Sequence, residues 1–479
     1  MNPIDPLEIN SNSSIREALL KLNDNGYGVC FVTSQRVLVG VLTDGDIRRY
    51  LLNNNNLDCE ISKVMNRDFF SLPVESDEKT IRRSFSSEIK IIPLCDKQGL
   101  LVDYADSFKN HRIPVIEPEF NGQELNYLED CIKSTWISSQ GAYVRRFEMM
   151  FEDMHPGMHA IAVSNGTVAL HLALKSLGVS DGDEVIVPDL TFAATVNAVL
   201  YCNAVPVLCE VDPETWCIDA KEAEMLISER TKAIIPVHLY GQLCEMDAIM
   251  DLSKRYNLKL LEDCAESIGS KWKGKPSGMF GDAATFSFFG NKTISTGEGG
   301  MLLIRDHNIA KQAILLRDHG MNPNKRYWHD VVGFNYRLTN LQAAIGVAQM
   351  ERLDEFIAKK RKIASIYKEH LKHIDCIEKF PTENIDNIHS HWLYTVILRQ
   401  DIDRDRVIDL LMEVGVEARP VFYSMHIMPP YKSFKKSAKH TNSLFISKQG
   451  ISFPSSVGIS FNEIKHVCDS LIRILGDLK

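Results

Sequence analysis

Four short stretches of the sequence hold side chains able to do chemistry, and each closes a run of strand-like apolar residues. In ATFSFFGNKTISTGEGGML, Lys292 follows such a run with Ser287 just before it and glycines closing the turn. A lysine at such a place is usually an ordinary solvated residue. In LKLLEDCAESIGS, Asp263 ends the run; its carboxylate either pairs with a cationic ring nitrogen or caps the following helix. AVSNGTVALHLALKSLG passes from strand to helix through Asn165, Gly166 and Thr167, where free N–H groups and the positive dipole end suit a phosphate. Capping by Asn165 or Thr167 is the plainer reading of that stretch alone. VPDLTFAATVNAVL places Phe192 at a helix start, as a flat face for a ring or as a core phenylalanine. Open parallel sheets bind ligands at the carboxyl ends of their strands, so the four stretches converge if their strands are parallel.

The elements between them support that arrangement. Apolar runs AIAVS, DEVIVP, VPVLCEV, KAIIPVHL, LKLLED, ATFSFF and GGMLLIR alternate with amphipathic helical stretches, the pattern of a mostly parallel sheet covered by helices on both faces. Residues 340–371 keep apolar residues at helical spacing for about thirty positions and read as one long helix bridging two lobes. The remainder predicts a smaller α+β lobe, with strands WLYTVILR and VEARPVFY around RDRVIDLLMEVG and a final helix NEIKHVCDSLIRILGDL. At the front, helix, two strands and a short helix are followed by a weaker copy in which 77–87 is helical, an internal duplication. HRIPVIEPEF is a linker near residue 110. The expected domains are 1–112, 113–360 and 361–479, a division that suits a chain of 479 residues.

Composition narrows the class. With 44% hydrophobic and 24% charged residues the chain is globular, and a net charge of −9 argues against nucleic acid as a partner. The basic run 359–362 sits in a helical pattern and reads as a solvated face. No apolar stretch approaches a bilayer span and MNPIDPLEIN lacks the features of a signal peptide, so a cytoplasmic protein is expected. The eleven cysteines form no C-x-x-C pair and read as reduced and structural. His155 and His159 are separated by Pro156 and Gly157, which break the helical face a metal pair would use. No metal is expected.

Together, S-N-G-T at 164–167, T-F, E-D-x-A-E, S-F-x-x-x-K with G-E-G-G, and G-F-N-Y-R at 333–337 resemble the DegT/DnrJ/EryC1/StrS nucleotide-sugar aminotransferases over about 136–430. The resemblance implies an α/β, fold-type I enzyme with a seven-stranded, mostly parallel sheet, a small C-terminal lobe and pyridoxal 5'-phosphate as cofactor. Lys292 would form the imine link to that cofactor, Asp263 would pair with its ring nitrogen, Phe192 would stack on the ring and Glu266 would lie near its phenolic oxygen. Gly166, Thr167 and Ser287 would hold the phosphate, and Asn335 would reach the phosphate of a neighbouring subunit, making the enzyme a homodimer or a larger assembly. Glu266 stands where many members have glutamine, and Phe289-Gly290 where many have His-Pro.

Lys292 also implies amine transfer, since a dehydratase branch has histidine at that place. Residues 417–431 are similar to the perosamine-synthase-like members, which aminate a 4-keto-6-deoxysugar on a nucleotide, with glutamate as the expected donor, for surface-polysaccharide or related amino sugars. Tyr423 and His426 are candidates for sugar contacts, or else pack the small lobe; His238 reads as structural. A sugar dehydratase and an inactive nucleotide-sensing protein are the alternatives. LVGVLTDGDIRRYLL resembles a CBS motif, in which Thr43 and Asp46 would contact an adenine nucleotide. The second copy lacks that threonine, and a structural or dimer-forming module is the competing reading.

Overall fold

In the computed structural model, residues 4–77, 80–81, 84–86, 89–106, 112–383 and 386–478 are described. Contacts divide the chain into two compact units, Met1–Ile113 and Pro114–Lys479.

The first unit repeats one small motif. β1 (Glu8–Asn10) runs parallel to β2 (Val29–Ser34), which turns back antiparallel into β3 (Val37–Thr43); β4 (Leu72–Pro73), β5 (Ile91–Cys95) and β6 (Leu101–Asp106) repeat that order. α1 (Ile15–Asn25) starts at a Ser14/Glu17 capping box, ends at left-handed Gly26 and buries Ile15, Ala18 and Leu22. α2 (Asp44–Leu51) follows β3 directly. The helix expected over 77–87 lies partly outside the described residues, and its described positions 80, 81 and 84 are helical. The linker expected near 110 also lies partly outside them.

The second unit is built on seven strands: β7 (His159–Val163), β8 (Glu184–Pro188), β9 (Val205–Cys209), β10 (Thr231–Ile234), β11 (Lys259–Asp263), β12 (Ala283–Ser287) and β13 (Gly300–Ile304). Their order is β7-β13-β12-β11-β10-β8-β9. β13 is antiparallel to both neighbours and every other pairing is parallel. β8 and β13 are buried at every position because both faces are covered, which is why their sequences are continuous apolar runs rather than alternating ones. α3 (Gly166–Ser176) and α4 (Ala193–Tyr201) leave the ends of β7 and β8, so their first turns stand at the carboxyl edge of the sheet.

Two expectations about the helices need correction. The single helix over 340–371 is two, α5 (Asn340–Met350) and α6 (Leu353–Leu371). Arg352 leaves helical dihedrals (φ −112°, ψ 8°), its guanidinium taken by Glu119 and Glu355. The run 359–362 is not a uniformly solvated face: Lys360 is buried and donates to the carbonyls of Trp392 (2.9 Å) and Ser455 (2.6 Å). Four consecutive helical positions sweep most of a turn, so one of them faces inward.

In the C-terminal sheet, β14 (Ile377–Lys379), β15 (Tyr394–Leu398), β16 (Arg419–Pro420) and β17 (Gly450–Phe453) pair antiparallel in the order β14-β15-β17-β16. Only two residues of VEARPVFY pair, and the strands at 377–379 and 450–453 were unanticipated. α7 (Arg404–Glu413) and α8 (Phe461–Asp477) occupy the expected helical stretches. α6 runs through position 360 without a break. Among the described residues no helix is long and apolar enough to cross a membrane, and all eleven cysteines are buried and unpaired.

Candidate active site

A cleft of about 580 Å³ opens at the carboxyl ends of the parallel strands. Lys292 follows β12, and its Nζ lies 3.6 Å from Glu266 Oε1 and 3.9 Å from the centre of the Trp392 ring. Burial is the main influence on this amine and pushes its pKa below the usual lysine value; Glu266 and Asp263 pull the other way. Burial in turn raises Glu266, with Lys292 opposing, while the Tyr240 N–H donates to its Oε2 at 2.8 Å. Tyr240 has a left-handed backbone (φ 55°) that turns this N–H toward Glu266.

Asp263 closes β11 and is buried. It accepts from the Thr195 hydroxyl at 2.8 Å and the Ala265 N–H at 3.1 Å. Burial raises its pKa, and these two donors, together with Lys292, lower it. The α3 end of the cleft is set by glycine. A Cβ on Gly166 would sit 2.9 Å from Ser287 Cβ, so only glycine lets the first turn of α3 approach the end of β12. Asn165 caps α3, accepting from the Val168 N–H at 3.0 Å, as the plainer reading had it; Gly166 and Thr167 line the cleft beside it. Phe192 is 59% exposed and borders the cleft, which rules out the core reading.

Lys292, Asp263, Glu266, Gly166, Thr167, Phe192 and Ser287 therefore line one cleft. Three other candidates lie elsewhere. Asn335 is exposed, its side-chain oxygen taking hydrogen bonds from Arg337. Tyr423 is 51% exposed and His426 binds Asp189, and neither lines the cleft. His238 is buried against Glu262 at 3.1 Å and accepts from the Cys244 N–H, the structural role expected of it. In the first unit, Thr43 and Asp46 form a capping box on α2, and Asp46 also pairs with Arg49 at 2.5 Å.

Sequence reasoning missed Thr195, Tyr240, Trp392 and Phe422. Trp392 donates its indole N–H to the Asn291 carbonyl at 2.7 Å, which sets its ring under Lys292. Tyr240 stacks between Trp392 and Phe422, at 5.8 and 5.4 Å. Their distance along the chain left no local trace. Thr195 had one: it stands four positions after Thr191, and the two hydroxyls meet at 3.0 Å.

A mostly parallel seven-stranded sheet with one reversed strand, and a buried lysine between carboxylates at its carboxyl edge, define an enzyme of the aminotransferase class. The chain belongs to the DegT/DnrJ/EryC1/StrS aminotransferase family, which it matches over residues 118–472, and its residues 1–53 match the CBS domain. It is 47% identical over 370 residues to the GDP-perosamine synthase of Caulobacter vibrioides, covering 76% of this chain and 98% of that one. The GDP-perosamine synthase of Escherichia coli O157:H7 is 45% identical, covering 76% and 99%. Among solved structures, it resembles 3-amino-5-hydroxybenzoic acid synthase with TM-score 0.71 and 28% identity, covering 75% of this chain and 98% of that one. It also resembles the aminotransferase TlmJ from Streptoalloteichus hindustanus with TM-score 0.73 and 27% identity, covering 77% and 100%.

Proposed function

We propose that this enzyme moves an amino group from glutamate to the keto carbon of a GDP-linked 4-keto-6-deoxysugar, with pyridoxal 5'-phosphate held on Lys292. The observation that carries the reading is the buried Lys292 amine, 3.6 Å from Glu266 in a cleft that also holds Asp263 and the first turn of α3. Two relatives that match over nearly their whole length are named GDP-perosamine synthase, which supports the sugar and the nucleotide. The Bacillus subtilis relative EpsN, 36% identical over 76% of this chain, is named a putative pyridoxal phosphate-dependent aminotransferase.

The residues present fit that cofactor. When bound, it supplies an electrophilic carbon for the amines and a cationic ring that takes up negative charge from the substrate. Asp263, rigid at a strand end and held by Thr195 and Ala265, would pair with the ring nitrogen and keep it protonated. The Ser287 hydroxyl and the N–H groups of Gly166 and Thr167, brought together by the missing Cβ of Gly166, would hold the phosphate, where the helix dipole favours an anion. Phe192, exposed at the cleft, would cover the ring. Burial lowers the Lys292 pKa, which suits a proton carrier: once released from the cofactor, its amine would take the proton from the donor's α-carbon and, in the second half-reaction, deliver one to the sugar carbon that receives nitrogen. Asn335, outside this chain's own cleft, would reach the phosphate in a partner subunit, which makes a homodimer the proposed working unit.

For the first unit we propose a structural role ahead of adenine-nucleotide sensing, because Thr43 and Asp46 are bonded to each other in the α2 cap.

The test of the catalytic reading is a balanced assay. Glutamate should bleach the visible band of the cofactor-loaded enzyme, a GDP-linked 4-keto-6-deoxysugar should restore it, and one 2-oxoglutarate should appear per aminated sugar. Consumption of the sugar without an amine on the product would overturn the reading.

A further inference from the structure

We infer that Asp189, His426 and His440 form a binding site for one divalent transition-metal cation of the zinc type. Asp189 directly follows β8 and is fully buried. Its Oδ1 accepts from the His426 backbone N–H at 2.8 Å. Its Oδ2 meets His426 Nδ1 at 2.6 Å, the Ser443 hydroxyl at 2.8 Å and His440 Nδ1 at 3.1 Å. The two imidazoles stack at 4.3 Å, and one ligand atom from each of the three residues lies within 4.8 Å of the others.

Hydrogen bonding explains only part of this cluster. It accounts for Asp189, His426 and Ser443. His440 is only 8% exposed; its Nδ1 approaches only the Asp189 oxygen that already meets His426 and Ser443, and its Nε2 has no hydrogen-bond partner among the described residues. A neutral imidazole carries one N–H and one lone pair, and burying either unmet is costly. A cation shared with Asp189 and His426 takes up that lone pair. Two imidazoles and one carboxylate are the donor set of three-ligand zinc sites, which leave a fourth position for water. Imidazole nitrogens favour zinc, cobalt or nickel over magnesium or calcium. With bonds of about 2.0 Å, tetrahedral ligand atoms stand about 3.3 Å apart, so small ring shifts suffice. Coordination through His426 Nδ1 requires that nitrogen to be unprotonated, with the ring proton on Nε2.

None of the three residues lines the cleft. Asp189 precedes Thr191 and Phe192, which do, so the cation would tie the 424–443 segment to the cleft wall.

The full-length protein, stripped with a chelator, is dialysed against micromolar zinc chloride and its metal content measured by atomic emission. Wild type should hold one zinc per chain more than His440→Phe, which keeps a stacked ring without nitrogens, and more than His426→Gln. Zinc should also raise the Tm of wild type and not of His440→Phe. Equal zinc in wild type and His440→Phe, or no zinc in wild type, overturns the proposal, provided circular dichroism shows both proteins folded.

Discussion

Two lysines of this chain have amines whose pKa burial pushes down, and their neighbours give them different chemistry. Lys292 faces two carboxylates and an indole in a cleft; Lys360 donates to the carbonyls of Trp392 and Ser455. Nothing local in the sequence distinguishes them. Lys292 was legible because it ends a motif shared with a family, whereas Lys360 was hidden in a basic run. Burial alone pushes the Lys360 pKa down to about 7. Between pH 7 and the unfolded value near 10.4, the unfolded chain binds a proton that the folded one has released, so stability rises with pH. Below pH 7 both states are protonated and this slope vanishes. Lys360→Met should remove a rise of up to about 1.4 kcal/mol per pH unit, read from urea unfolding at pH 7.5 and 9. Parallel pH profiles for the two proteins would contradict the assignment.

At the scale of elements, legibility followed length and repetition. All seven strands of the large sheet announced themselves as apolar runs closed by polar residues, because strands covered on both faces need no alternation. The strands at 377–379 and 450–453 did not, since three or four residues among loops carry too little pattern to register. The α5–α6 break was invisible because apolar spacing continues across it, and what bends the chain is the pairing of Arg352 with Glu119, over 200 residues away. The start of α3 was readable as a cap or an anion site. The capping bond is present, and the missing Cβ of Gly166 speaks for the anion. Gly166→Ala should therefore weaken cofactor binding at least about tenfold, or about 1.4 kcal/mol, while far-ultraviolet circular dichroism stays unchanged. Unaltered affinity by titration would show that α3 does not cradle the phosphate.

For the molecule as a whole, the front duplication was legible because both copies share one strand order, while the Thr43/Asp46 pair was ambiguous in the way T-x-x-D always is, fitting a cap and a ligand contact alike. An active site shared between subunits would be a property of two chains. If Asn335 acts across a homodimer, Lys292→Ala and Asn335→Ala proteins, each inactive alone, should regain roughly a quarter of wild-type turnover when unfolded and refolded together, since half the dimers are hybrids with one intact site of two. No recovery would place both residues in the same chain's site. The central claim is that the Lys292 amine carries the cofactor. Borohydride reduction of the full-length, cofactor-loaded protein followed by peptide mass mapping tests it most directly: the account predicts a pyridoxyl group on Lys292, and a label on another lysine, or none at all, would contradict it.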